Sequence, residues 1–196
     1  MSLLKKYDIT KIIHTGGISG PMLANENPNL IIENNVFFTM YLIEAARIYK
    51  KIKRFIFCSS ISAYGELAES NTTEEYRFAP ENLYGATKAS CDLLLKKYYE
   101  KYEMDIISLR LSTIYGHRRS TSCFINDIIN SGIKNKKITL PFKSEFCWPY
   151  VYVDDVVLCI EKCLAHEKEH FYDYNISGPD FPSYQKIVRE VSQYID

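Results

Sequence analysis

Positions 54–65 read R-F-I-F-C-S-S-I-S-A-Y-G, and positions 82–88 read N-L-Y-G-A-T-K. The first stretch is an apolar run that ends in hydroxyls. It shows no alternation, so it predicts a strand covered on both faces, as in a parallel sheet. The second opens a helical pattern from about Asn82 to Tyr102, with Leu93, Leu94 and Leu95 inside it. Tyr84 and Lys88 stand one helical turn apart and share a face. An ammonium near a phenol favours the phenolate, and a phenol that exchanges a proton near neutral pH is a usable acid/base. Ser60 ends the strand, where parallel α/β sheets bind their ligands, and can hydrogen-bond the same substrate oxygen.

Upstream, Lys11-Ile-Ile-His14 is a short strand candidate leading into glycines. Thr15-Gly-Gly-Ile-Ser-Gly20-Pro21 invites comparison with the dinucleotide fingerprint G-x-G-x-x-G. Thr15 occupies the first glycine position, and Pro21 and Pro28 delay the helix that should follow. The stretch reads either as a loop whose backbone can approach a ligand or as a plain turn. Asn29 to about Lys50 repeats apolar residues near the helical period and gathers basic residues at its end. A polar loop fills 65–81, and Asp105–Leu111 is a third apolar strand. Strand, helix, strand, helix, strand predicts a doubly wound parallel sheet.

After Gly116 the pattern changes. A helix over 122–133 precedes a strand candidate at 136–140, then a strand at Tyr150–Val153. Asp154-Asp155 begins a helix to about Leu164, with Asp as a favoured N-cap. Tyr172–Ile176 is a strand, and Ser183 caps a last helix carrying Ile187, Val188, Val191 and Ile195.

Composition restricts the function classes. The 196 residues carry 24 Lys+Arg against 24 Asp+Glu, so no basic field favours nucleic acid or an anionic membrane. No apolar run reaches the roughly 20 residues of a membrane helix, and no signal peptide is visible at the start. Six cysteines without C-x-x-C spacing suit reduced thiols and a cytoplasmic setting.

Y-x-x-x-K alone is weak: 16 tyrosines in this chain predict about one or two chance matches. Tyr7/Lys11 and Tyr49/Lys53 also match, but only Tyr84/Lys88 opens a helix after a strand ending in Ser-Ser. His166-Glu-Lys-Glu-His170 matches H-E-x-x-H, the pattern of zinc proteases. It sits at a charged helix end with no third ligand following, where solvated charge is the simpler reading. Cys159 and Cys163, also one turn apart, read as core thiols.

Taken in order, F-C-S-S-I-S-A-Y-G (57–65), N-L-Y-G-A-T-K (82–88), L-R-L-S-T-I-Y-G (109–116), Y-V-Y-V-D-D-V (150–156) and Y-N-I-S-G (174–178) resemble the extended short-chain dehydrogenase/reductase family, the NAD-dependent epimerase/dehydratases. I-I-H-T-G-G (12–17) is similar to that family's fourth strand, and E-N-N-V-F-F-T (33–39) to its following helix. The resemblance implies an α/β fold with a partial, doubly wound Rossmann-type sheet and part of a small substrate-binding domain. Residues 1–116 would be the NAD-binding domain from its fourth strand onward. Residues 117–196 would be the substrate-domain portion, interleaved with the last Rossmann elements.

It also implies roles. Tyr84 deprotonates a substrate hydroxyl as hydride passes to NAD or NADP. Lys88 binds the nicotinamide ribose and keeps Tyr84 acidic, and Ser60 orients the hydroxyl. His14, Gly16, Gly17 and Asn35 stand on the cofactor side. Ser62, Thr113 and Trp148 join Ser60 as substrate-side residues, although strand-end hydrogen bonding explains Ser59 and Ser62 more simply. The substrate is a sugar or nucleotide sugar, and the partner is a second copy, paired through helices 29–50 and 82–102. No metal is implied. A catalytically dead remnant that keeps only that pairing surface is the alternative.

Three departures stand out. G-x-x-G-x-x-G and the strands before strand four are not in the chain, which predicts an exposed β edge at 11–14, poor stability or association, and weak or no NAD binding. Trp148 stands where nucleotide-sugar enzymes often carry an Arg for the diphosphate. Thr113 replaces an Asn found in several members, and His117 a common Pro. Neither epimerase, dehydratase and reductase nor NAD and NADP are separated by these residues.

Overall fold

The apolar run became β2 (Arg54–Ser60), a strand buried along its whole length. In a computed structural model of the chain, residues 2–19, 26–66, 72–134, 136–137, 143–166 and 171–195 are described. β2 lies inside a sheet of order β1-β2-β3-β6, with β1 (Lys11–His14), β3 (Ile106–Leu111) and β6 (Phe171–Ile176). All three pairings are parallel, as the unalternating apolar runs predict. β1 is the sheet's edge on one side, and its Ile13 is exposed.

Phe55 and Phe57 point to one face of the sheet, where they pack with Ile43, Ala46, Cys91 and Leu95 of two long helices. These are α3 (Phe38–Tyr49) and α4 (Leu83–Tyr102). Arg54 points to the other face and bonds the carbonyls of Cys163 and His166, at the end of α6 (Val153–Ala165). The sheet is therefore covered on both sides.

The helix expected over 29–50 is not uniform. It runs as α2 (Pro28–Ile32), a π turn (Glu33–Phe37) and α3. In the π turn the Asn35 carbonyl accepts both the Thr39 hydroxyl, at 2.6 Å, and the Cys91 thiol, at 3.2 Å. Side chains that enter the backbone ladder in this way widen a helical turn.

The chain divides into two compact units. The first comprises Met1–Leu111 and Cys159–Ile176, the second Ser112–Leu158 and Ser177–Asp196. The sequence reading sets its boundary at 116, whereas the first unit stops at Leu111 and takes back the chain at Cys159. The second unit holds a parallel pair, β4 (Thr113–Tyr115) and β5 (Tyr150–Tyr152), with α5 (Phe124–Ile133) and α7 (Tyr184–Val191). Its core is Cys123, Ile128, Tyr150, Tyr184 and Ile187.

Some boundaries need correcting. Val153 is helical and does not end a strand, so Asp154 and Asp155 lie in the first turn of α6 and are not its cap. There they still favour the positive helix end. A short helix at the start, α1 (Ser2–Lys6), and strand β4 carry no strong sequence signal. Ser183 caps α7 as expected, accepting from the Lys186 amide. Gly20 and Pro21, part of the 65–81 loop, most of the strand candidate at 136–140 and residues 167–170 of the H-E-x-x-H stretch lie outside the described residues. No helix among the described residues is long and apolar enough to cross a membrane.

Candidate active site

β1 ends at His14, opposite Phe57, while β2 runs on to Ser60. Just past that end, the carbonyl of Cys58 accepts a hydrogen bond of 2.8 Å from Lys88 Nζ. Lys88 reaches it from the first turns of α4, whose N-cap Asn82 accepts from the Gly85 amide at 2.8 Å. Glycine at 85 is a steric requirement, because a Cβ there would lie 2.3 Å from the Ser62 carbonyl oxygen. The start of α4 thus rests directly on the 3-10 turn Ile61–Ala63 that follows Ser60. This contact brings Ser60, Tyr84 and Lys88 into one neighbourhood. The Lys88 ammonium lies 5.9 Å from the centre of the Tyr84 ring and 4.8 Å from that of Phe57.

Lys88 is only 7% exposed and forms no salt bridge among the described residues. Burial lowers its pKa, against the pull of Cys91, Cys58 and Asp92. An ammonium has three donors. The Cys58 carbonyl takes one, which leaves a buried cation with donors to give to a hydroxyl-bearing ligand.

His14 is equally well determined. Thr39 spends its one proton on the Asn35 carbonyl. The contact of 2.7 Å between Thr39 Oγ1 and His14 Nε2 therefore requires the imidazole to donate. Burial and the nearby Lys88 charge lower its pKa to about 4, so the ring is neutral at pH 7 with Nδ1 unprotonated.

Asn35 joins the glycine loop to α4. Its Oδ1 accepts the Ile18 amide at 2.7 Å, and its Nδ2 donates to the Ile18 carbonyl and to Thr87 Oγ1, each at 3.1 Å. Thr87 in turn donates to the Tyr84 carbonyl at 2.7 Å. Gly17 has φ +131, and a Cβ there would come within 2.7 Å of Asn35 Oδ1. At Gly16 a Cβ would make ordinary contacts only.

The two adjacent serines have different duties. Ser59 donates to buried Asp92 at 2.7 Å. Ser60 caps the 3-10 turn, its Oγ accepting the Ser62 amide at 3.2 Å, and keeps its own proton for a ligand. In the second unit Trp148 Nε1 donates to Thr113 Oγ1 at 2.7 Å and its ring stacks on Phe146. Those two substrate-side candidates touch each other.

Sequence reasoning missed Thr39, Thr87 and Asp92. Asp92 stands one helical turn beyond Lys88, a visible i,i+4 signal. It anchors a buried network with Ser59, Ser108 and Arg110, and Arg110 also reaches Tyr64 and Asp173. Of the H-E-x-x-H stretch only His166 is described, and among the described residues no cluster of three His, Cys, Asp or Glu side chains could hold a metal ion.

The profile of the NAD dependent epimerase/dehydratase family matches residues 1–177. The chain belongs to this family. Among its relatives, a dTDP-D-glucose 4,6-dehydratase of Dictyostelium discoideum is 30% identical over 191 residues, 92% of this chain and 43% of that protein. A trifunctional UDP-glucose 4,6-dehydratase/UDP-4-keto-6-deoxy-D-glucose 3,5-epimerase/UDP-4-keto-L-rhamnose-reductase of Arabidopsis thaliana is 30% identical over 177 residues, 89% of this chain and 26% of that protein. Among solved structures, the UDP-glucuronic acid 4-epimerase of Bacillus cereus, in complex with UDP-glucuronic acid and NAD, superposes with a TM-score of 0.90 at 26% identity. That match covers 98% of this chain and 60% of the epimerase. The chain thus spans 43% and 26% of the two relatives and 60% of the epimerase.

Proposed function

We propose that the chain carries the hydride-transfer residues of an NAD-dependent enzyme acting on a nucleotide sugar. The observation that supports this best is Lys88, a buried ammonium with donors to spare beside Tyr84, at the end of a parallel strand. Such a cation suits the hydroxyls of a ribose. The loop at Gly16 and Gly17, pinned by Asn35, lets backbone come close to a cofactor from the β1 side. The residues present therefore fit a bound NAD on its nicotinamide side, held by Lys88, His14 and the glycine loop.

When bound, NAD supplies the hydride acceptor. Tyr84 Oη, as phenolate, takes the proton of the substrate hydroxyl at the carbon being oxidised. Lys88 stabilises that phenolate by its charge. Ser60 donates its hydroxyl proton to the substrate oxygen and keeps it oriented. Trp148 and Thr113, hydrogen-bonded to each other in the second unit, complete the substrate-side set that the family resemblance implies. Epimerisation and dehydration share this first step; reduction runs it in reverse, with the Tyr84 phenol giving its proton to the carbonyl oxygen. The six described thiols are free, and the reading assigns the protein to the cytoplasm.

Calorimetry with NAD and with UDP- or dTDP-glucose, followed by proton NMR of the sugar product, tests the proposal. Tyr84→Phe and Lys88→Met should each lower turnover by about 100- to 10,000-fold, the usual worth of acid–base catalysis. Full activity in Tyr84→Phe, or no binding of the nucleotide sugar by the wild type, would overturn it.

A second reading rests on the outer faces of α3 and α4. Phe37 before α3, Tyr41 and Ile48 on it, and Leu93 and Leu94 on α4 are all exposed. An apolar surface of this kind marks an interaction site. We infer that it pairs with the same face of a second copy, whether or not the chain is catalytic. Sedimentation should give a dimer that Tyr41→Lys/Leu94→Lys converts to monomer. A wild type that sediments as a monomer at 50 μM or so would exclude it, since an interface of this kind holds in the micromolar range or tighter.

A further inference from the structure

Asp92 is a buried carboxyl that the hydride transfer proposed above does not use. It sits on α4 one turn beyond Lys88, on the same helix face. Ser59 donates to its Oδ2 at 2.7 Å, Ser108 donates to its Oδ1, and Arg110 Nε donates to Oδ2 at 3.3 Å. Arg110 is itself fixed, because its other nitrogens donate to the Tyr64 hydroxyl, the Glu74 carbonyl and Asp173. Two adjacent residues of β2 are thus held from one face of α4. Lys88 bonds the Cys58 carbonyl, and Asp92 accepts from the Ser59 hydroxyl. Ser60 is the next residue along the strand.

We propose that Asp92 is a positioning residue for that transfer: it fixes α4 against the end of β2 and supplies the negative charge that keeps Lys88 an ammonium beside Tyr84. The use of that charge rests on the hydride-transfer reading; the coupling between Asp92 and Lys88 does not.

The surroundings of Lys88 single out Asp92. The groups that act on it are Cys58 of β2, Cys91 and Asp92 of α4 and His14 of β1, with the Tyr84 ring centre 5.9 Å away. Burial pushes the Cys58 and Cys91 thiols up to about 11, and His14 is neutral at pH 7. Asp92 is therefore the anion of the set at neutral pH. Burial raises its pKa, and Ser108, Arg110 and Ser59 lower it. The guanidinium of Arg110 keeps its protons at any working pH, and a donor of that kind holds the ionised carboxyl.

The test titrates Lys88 in the whole chain, without substrate or cofactor, by NMR of lysine labelled with carbon-13 at Cε. The Lys88 signal is the one missing from Lys88→Arg. In the wild type its midpoint should lie below that of the exposed lysines. Asp92→Asn keeps the size of the side chain and an acceptor oxygen but loses the charge, and should lower the midpoint further, by about one unit or more. Where the enzyme turns over, the alkaline limb of its kcat profile should move down with it while KM for the nucleotide sugar stays. A carboxyl that only ties α4 to the sheet would cost thermal stability and leave the Lys88 midpoint unmoved, and that result overturns the proposal. Should Asp92→Asn fail to fold because Arg110 is left unpaired, Asp92→Asn combined with Arg110→Gln removes both charges and must still lower the midpoint; no shift there also overturns it. Full activity in Tyr84→Phe would sink the hydride-transfer reading and leave the Lys88 titration standing, so the two failures are distinct.

Discussion

His14 carries its proton on Nε2 and is neutral at pH 7. Thr39 can only accept from it, and burial beside Lys88 lowers its pKa from 6.5 to about 4. In the unfolded chain it keeps its ordinary value, so between pH 6.5 and 4 the unfolded state binds the extra proton. Stability is complete above that window and falls as the pH drops through it, by about 2–3 kcal/mol at pH 4.5. Urea titrations at pH 7 and pH 4.5 should show this loss, and His14→Gln, which can still donate to Thr39, should lack that share of it. Equal losses in both proteins would contradict it. The sequence makes Tyr84 and Lys88 legible by spacing, and their neighbourhood with Ser60 by motif order. It treats Gly16 and Gly17 alike. Only the contact with Asn35, 18 residues on from Gly17, shows that Gly17 alone must lack a side chain.

Between elements, Arg54 does the joining. It stands at the first position of β2, pairs with Asp105 before β3 at 2.6 Å, and caps the last carbonyls of α6. Both partners of the pair are nearly inaccessible. Removing one leaves an unpaired buried charge, so Arg54→Met should cost about 3–5 kcal/mol. Arg54→Met combined with Asp105→Leu should recover much of that in thermal unfolding, though the α6 carbonyls stay uncapped. A double variant no better than the single one would show that the helix cap, not the ion pair, is the larger part. Strands and long helices were legible because apolar runs and periods are local signals. The π turn was not, because its cause is a carbonyl shared by Thr39 and by Cys91 of another helix. Nor was the start of α6, where two acidic residues serve equally well as cap or as first turn.

At the scale of the molecule, the parallel sheet follows from composition and alternation of elements. Its last strand does not. β6 pairs with β3 across more than 50 residues of chain that mostly belong to the other unit, and only the ordered motifs hint at that return. The same long-range character marks the Asn35 junction, where a loop, a widened helical turn and the start of α4 are held by one side chain. The Ile18 amide sits in a loop, yet its proton is locked to that side chain. In heavy water it should not exchange on the millisecond clock of a surface loop. It should wait for the Asn35 side chain to turn away, so that one loop proton reports how often the tie between the loop and Thr87 of α4 comes loose.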